Sequence, residues 1–141
     1  MSKTEVAVVK PRSLPKGVVA GVIGGLAGVV AMTLAQRLFP PHKEEEAKAA
    51  QPVAEPIHWE FGAAVGAAYG ALAEYYPAAT AKEGASFGVA LEALTQETPL
   101  PALGLPDRAN ETMIGRAGEL TAHVVYGVTT EFVRKLVRRF L

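Results

Sequence analysis

The 141-residue chain contains no cysteine. Disulfides, zinc–thiolate sites, iron–sulfur clusters and thiol nucleophiles are thereby excluded. It has three histidines, His42, His58 and His123, too few for a multi-histidine metal centre. It has no net charge, so no global field points to nucleic acid as a partner. Aromatics are few at 7%, and the apolar content rests on Ala, Val and Leu, with many glycines beside them. No hydrolase triad and no nucleotide-binding loop is present. "GVIGGLAG", at 21–28, imitates a phosphate loop by letter only, because it sits inside an apolar run with no strand before it.

What the chain does have is a long uncharged run, "GVVAGVIGGLAGVVAMTLAQ", from Gly17 to Gln36. About twenty such residues, at about 1.5 Å each, match the hydrocarbon thickness of a bilayer. A cleaved signal peptide would want a shorter apolar core and a small-x-small cleavage site. The pattern predicts an all-α integral membrane protein, a four-helix bundle with Gly-x-x-x-Gly packed helices. Residues 1–16 form a basic cytoplasmic segment, interrupted by Pro11 and Pro15. A first transmembrane helix follows at 17–39. An external polar loop occupies 40–56, opened by prolines and rich in charge, Ala and Pro. A second transmembrane helix spans 57–77, with Trp59, Tyr75 and Tyr76 at its ends, where interfacial aromatics belong. A third covers 81–96, and 97–110 is a proline-punctuated external loop. The fourth runs over 111–141, with Asn110 as N-cap and a basic cytoplasmic end.

Charge placement agrees with this layout. With both termini inside, Lys3, Lys10, Arg12, Lys16, Lys82, Arg134, Lys135, Arg138 and Arg139 are cytoplasmic. The acidic Glu44, Glu45, Glu46, Glu55, Glu97, Asp107 and Glu111 are external. That is the positive-inside distribution of a bacterial cytoplasmic membrane protein.

Glycines recur four apart: Gly21 and Gly25 in the first helix, Gly62, Gly66 and Gly70 in the second, Gly84 and Gly88 in the third. Residues four apart share a helix face. In lipid, such small-residue stripes let backbones touch and drive association. The stripes serve either the four helices themselves or a contact with another protein. The later helices are poor spans alone, since Gly and Ala gain little from lipid and each charge there is unfavourable. A bundle, an oligomer or a larger assembly would hold them.

The polar residues follow the same faces. Glu92 continues the Gly84, Gly88 stripe, and Glu119, His123, Tyr126 and Thr130 line one side of the fourth helix. With the topology above, His58, Glu60, Glu92, Glu119 and His123 meet in the outer half of the bundle, while Glu74 and Lys82 lie at the inner side. Such a group either fixes helix register or handles protons, since histidine titrates near neutrality. No metal is expected, because the di-iron bundle pattern is Glu-x-x-His and the spacing here is Glu119-x-x-x-His123. No cofactor is expected either. His123 is the position from which a haem or chlorophyll would be ligated.

From about Ala67 onward the chain resembles the YagU family of bacterial inner-membrane proteins of unknown function. The residues that carry the resemblance are "ALAEYYP" (Ala71–Pro77), "TPLPALGLP" (Thr98–Pro106) and "GELTAHVVYGVTTEFVRK" (Gly118–Lys135). Glu119, His123, Glu131 and Arg134 fall on that family's Glu…His…Glu…Arg pattern. The resemblance implies a stress or pH role, since the family is linked to acid resistance. It supplies no catalytic mechanism.

The expectation from the sequence is therefore a small non-enzymatic membrane protein. Its leading role is that of a structural or accessory subunit packed through glycine-faced helices, with the bilayer, other membrane subunits or further copies of itself as partners. The alternative is a pH-responsive or proton-handling protein of the inner membrane, built on Glu92, Glu119 and His123.

Overall fold

The computed structural model describes residues 10–38, 44–97 and 113–141. The expected loop over 97–110, its Asn110 cap and the first residues of the basic segment lie mostly or wholly outside them. The described residues form four α-helices and no strand: α1 (Leu14–Leu38), α2 (Glu44–Tyr75), α3 (Ala85–Glu97) and α4 (Met113–Phe140). A 3-10 segment, Pro77–Gly84, joins α2 to α3.

α1 opens where Ser13 offers its carbonyl to the Gly17 N–H at 2.9 Å. Pro15 sits in the first turn, where its missing N–H has no helical partner to lose. The interior of α1 presents two glycine stripes. A methyl on Gly21 would meet the Gly66 carbonyl oxygen and approach the Gly70 Cα at 2.8 Å. A methyl on Gly24 would lie 2.5 Å from the Thr130 carbonyl oxygen. Gly21 and Gly25 thus face α2, while Gly24 and Gly28 face α4, and α1 is wedged between the two. Only a missing side chain permits backbones this close.

Two parts of the layout differ from the sequence expectation. The segment read as an external loop over 40–56 is helical from Glu44, so α2 is longer than the 57–77 helix. Ala, Glu, Lys and Gln are strong helix formers. Pro52 and Pro56 keep a helical φ and each gives up one backbone hydrogen bond. The helix expected over 81–96 starts later. α2 stops before Pro77, and Lys82, Glu83 and Gly84 then take positive φ values of 52°, 55° and 86°. Three successive left-handed residues reverse the chain. Gly84 is needed there twice over, because a Cβ would also run into the Gly127 carbonyl oxygen.

α3 runs antiparallel along α4. Glu83 reaches Lys135, a methyl on Gly88 would press on the His123 backbone, and Glu92 meets His123. The buried core comprises Val29, Met32, Ala35, Leu91, Ala122 and Tyr126, with Val65, Phe87 and Val125 packed on it. The Tyr69 and Phe87 rings stack at 4.2 Å and tie α2 to α3.

The outer faces of α1 and α4 carry long apolar stretches. Val19, Ile23, Leu26, Val30 and Leu34 form an exposed stripe on α1. Between Arg116 and Lys135 the exposed residues of α4 are Ala117, Leu120, Thr121, Val128 and Phe132, none charged. Among the described residues one helix, Leu14–Leu38, is long and apolar enough to cross a membrane.

Candidate functional site

α4 presents Ala122, His123, Tyr126, Gly127, Thr130, Glu131 and Arg134 inward at helical spacing. This face carries two buried ionic groups. The first gathers where α3 and α4 cross near the end of α1. His123 Nδ1 lies 2.8 Å from Glu92 Oε2, with side-chain exposures of 6% and 3%. The same nitrogen lies 2.9 Å from the Glu119 carbonyl oxygen, so its proton is shared between a carboxylate and a carbonyl. Gln36 Nε2 of α1 faces both Glu119 carboxylate oxygens at 3.4 and 3.5 Å. Gln96 donates to Glu92 Oε1 at 2.8 Å. Three helices therefore meet through one polar cluster.

Donor atoms of Glu92, Glu119 and His123 lie within 4.8 Å of one another. Among the described residues they are the one set close enough to gather round a cation. Their atoms are engaged with each other and with Gln36 and Gln96.

The second ionic group lies further along α4. Arg134 grips Glu131 with two bonds, Nε to Oε2 at 2.7 Å and Nη2 to Oε1 at 2.9 Å. Tyr69 of α2 donates to Glu131 Oε2 at 2.9 Å. Glu131 is fully buried. A bidentate Arg–carboxylate pair with a third donor satisfies the charge it buries. Nearby, Tyr126 donates to the Gly62 carbonyl at 2.8 Å. Among the described residues, the buried Thr130 Oγ1 makes no hydrogen bond.

At the far end of α4, Glu74 closes α2 just beyond the uncharged Phe61–Ala73 stretch. Arg138 donates to it at 2.6 and 2.9 Å, and the Ser13 N–H at 3.0 Å. The Arg138 guanidinium holds the Glu74 carboxyl below the usual carboxylate range, against a smaller opposing effect of burial.

Of the five cluster residues expected from the sequence, Glu92, Glu119 and His123 come together. Glu60 is exposed and His58 half-buried on α2, and neither belongs to the set of donors within 4.8 Å. α2 turns Gly62, Gly66 and Gly70 toward α1, which leaves Glu60 on another face. The glycines singled out, Gly21, Gly25, Gly62, Gly66, Gly70, Gly84 and Gly88, each press on a neighbouring helix of this same chain. Gln36 and Tyr69 were not singled out. Gln36 ends the uncharged run of α1, and Tyr69 lies within the uncharged part of α2. Glu131 and Arg134 entered only through the family pattern, although their eight- and eleven-residue offsets from His123 place them on its face.

A family model described as "Protein of unknown function (DUF1440)" matches residues 43–132. The chain belongs to the DUF1440 family. The matched part holds α2, α3 and α4 as far as Phe132, and so includes Glu92, Glu119, His123 and Glu131. α1 and Arg134 lie outside it. No curated protein and no solved structure matches the chain.

Proposed function

We propose that this DUF1440 protein is a multi-pass helical bundle of a bacterial cytoplasmic membrane and that its Glu92–His123 contact makes it responsive to pH. The membrane reading draws on where charge is absent. α1 has none between Lys16 and Arg37, and α2 none between Glu60 and Glu74. α4 exposes none between Arg116 and Lys135. For α1 and α4 the charge-free belt is roughly 30 Å tall at about 1.5 Å per residue, the thickness of a hydrocarbon core. Inside that belt, the ionisable groups turn away from the apolar surface, which is how membrane bundles hold them. Residues 10–16 and the last turn of α4 share the more basic side, which supports a cytoplasmic assignment for both.

The observation that carries the functional reading is the 2.8 Å approach of His123 Nδ1 to Glu92 Oε2. α3 packs chiefly on α4, and it leaves α2 through a turn of three left-handed residues. Glu92–His123 pins its far end, and Glu83–Lys135 its near end. Histidine is the side chain whose charge changes nearest neutrality. The contact joins a carboxylate to an imidazole, so its strength depends on the charge each carries, and it holds α3 to α4. The titratable and polar groups around this contact are Gln36 from α1, Thr95 and Gln96 from α3, and Glu119 from α4; exposed Arg37, Glu60 and Arg116 and half-buried His58 lie toward the same end. The likeness to the acid-resistance-linked YagU family agrees with this reading. An accessory role within a larger complex has less to draw on, because the noted glycine stripes are occupied inside the chain.

Amide hydrogen exchange in proteoliposomes tests the proposal. Protection of 85–97 should change between pH 7.5 and pH 5 in the wild type. The change should vanish in a Glu92→Gln/His123→Gln double variant. An identical pH profile in both proteins would reject the pH-responsive role.

A further inference from the structure

We propose that the end of the bundle where residues 10–16 meet the last turn of α4 is a binding site for the headgroup of an anionic phospholipid. The inference rests on the membrane reading above. Lys10 Nζ donates to the Arg138 and Arg139 carbonyls at 2.6 and 3.1 Å, and Lys16 Nζ donates to the Leu141 main-chain oxygen at 2.5 Å. These two ammonium groups offset the negative end of the α4 dipole. Glu74 is taken up by Arg138 and the Ser13 N–H. The acid and the helix terminus are therefore already satisfied. Arg12 and Arg139 remain, exposed, with no ion pair among the described residues. At the same end of the bundle are Phe140, 84% exposed, and Tyr76, 64% exposed.

Two exposed guanidinium groups and two outward aromatic rings at one end of the bundle fit one ligand class. Guanidinium binds phosphate oxygens in a fork. Aromatic rings settle at the headgroup level of a bilayer. The site is composite. It exists because the fold brings the start of α1 against the end of α4, so neither segment alone supplies it.

The test uses the full chain, extracted in a mild detergent and titrated with phosphatidylglycerol or phosphatidylcholine under native mass spectrometry. The wild type should retain phosphatidylglycerol in preference. Arg12→Gln/Arg139→Gln should reduce that preference by roughly fivefold for each charge removed. Arg116→Gln, an exposed cation at the opposite end, should leave it unchanged. Equal retention of the two lipids by the wild type would overturn the proposal, as would an equal loss in Arg116→Gln. Displacement of phosphatidylglycerol by millimolar inorganic phosphate would overturn the lipid as occupant and assign the site to a free anion. Alkaline carbonate extraction separates this failure from that of the membrane reading. Protein that stays in the membrane without lipid preference rejects the headgroup site alone. Protein that washes off rejects the membrane reading and the headgroup site with it.

Discussion

His123 and Arg134 stand on the same face of α4, roughly 16 Å apart at about 1.5 Å per residue. Both are buried, and both touch a glutamate. Their chemistry differs. Arg134 keeps its charge at any physiological pH and holds Glu131 through two bonds, with Tyr69 as a third donor. An imidazole, unlike a guanidinium, is a group whose charge can change, and His123 Nδ1 is divided between Glu92 and a carbonyl. One helix thus carries a permanent clamp and a changeable one. The permanent clamp ties α4 to α2. The changeable one ties it to α3, the short helix that follows the left-handed turn.

Both clamps depend on α1 being seated between α2 and α4, so the largest effect is expected there. Gly21→Leu would drive a side chain into the Gly66 and Gly70 backbone, which cannot retreat. Loss of the folded bundle is expected, seen as loss of a cooperative unfolding transition in detergent. A folded Gly21→Leu protein would mean that the α1–α2 contact is not the frame for either clamp.

Next comes the permanent clamp. Arg134→Met leaves Glu131 buried without its partner and should destabilise by about 3–5 kcal/mol. Adding Glu131→Gln should recover much of that loss. A double-mutant cycle in denaturant measures the coupling, and a coupling near zero would erase the contrast between the two groups.

The changeable clamp should matter less at neutral pH. His123→Gln is expected to lower stability by about 1–2 kcal/mol, the scale of interhelical hydrogen bonds in membranes. Denaturant unfolding in detergent measures it, and a loss as large as that of Arg134→Met would erase the contrast.

Glu74 provides a second pH window that sharpens the comparison. Its carboxyl is held below the usual range by Arg138. Its stabilising contribution is therefore complete above the unfolded carboxylate value of about 4.3 and is lost as pH falls through the lowered folded value. Glu74→Gln should remove a loss of stability below about pH 4 and leave the region near neutrality untouched. Thr130→Val should have the smallest effect. It removes a buried hydroxyl that has no hydrogen-bond partner among the described residues, so stability should stay level or rise by about 1 kcal/mol.

The helices were largely legible in the sequence because an uncharged run and a 3.6-residue period are local signals. The glycine positions were legible too, as faces, although their neighbours were not. Pro52 and Pro56 misled, because a proline lowers helix propensity without forbidding a helix whose other residues favour it. Lys82 and Glu83 misled in the opposite sense. Nothing in "AKEG" announces two non-glycine residues at positive φ, which the packing of Gly84 on Gly127 accompanies. In the site, Glu119 and His123 share a face by their four-residue spacing, so two of the three grouped residues could be read directly.

By itself the sequence determined the helical class, the apolar length of α1, the absence of thiol chemistry and the inward register of the polar residues on α4. These follow from composition and period, which need no knowledge of a neighbour. Only the tertiary structure decided which partners those residues meet. Glu92 rather than His58 or Glu60 reaches His123, Tyr69 reaches Glu131, and Arg138 reaches Glu74. The reason is physical. A helix period states which side of a rod a residue occupies, while the rotation and depth of one rod against the next are set by where glycine lets two backbones touch.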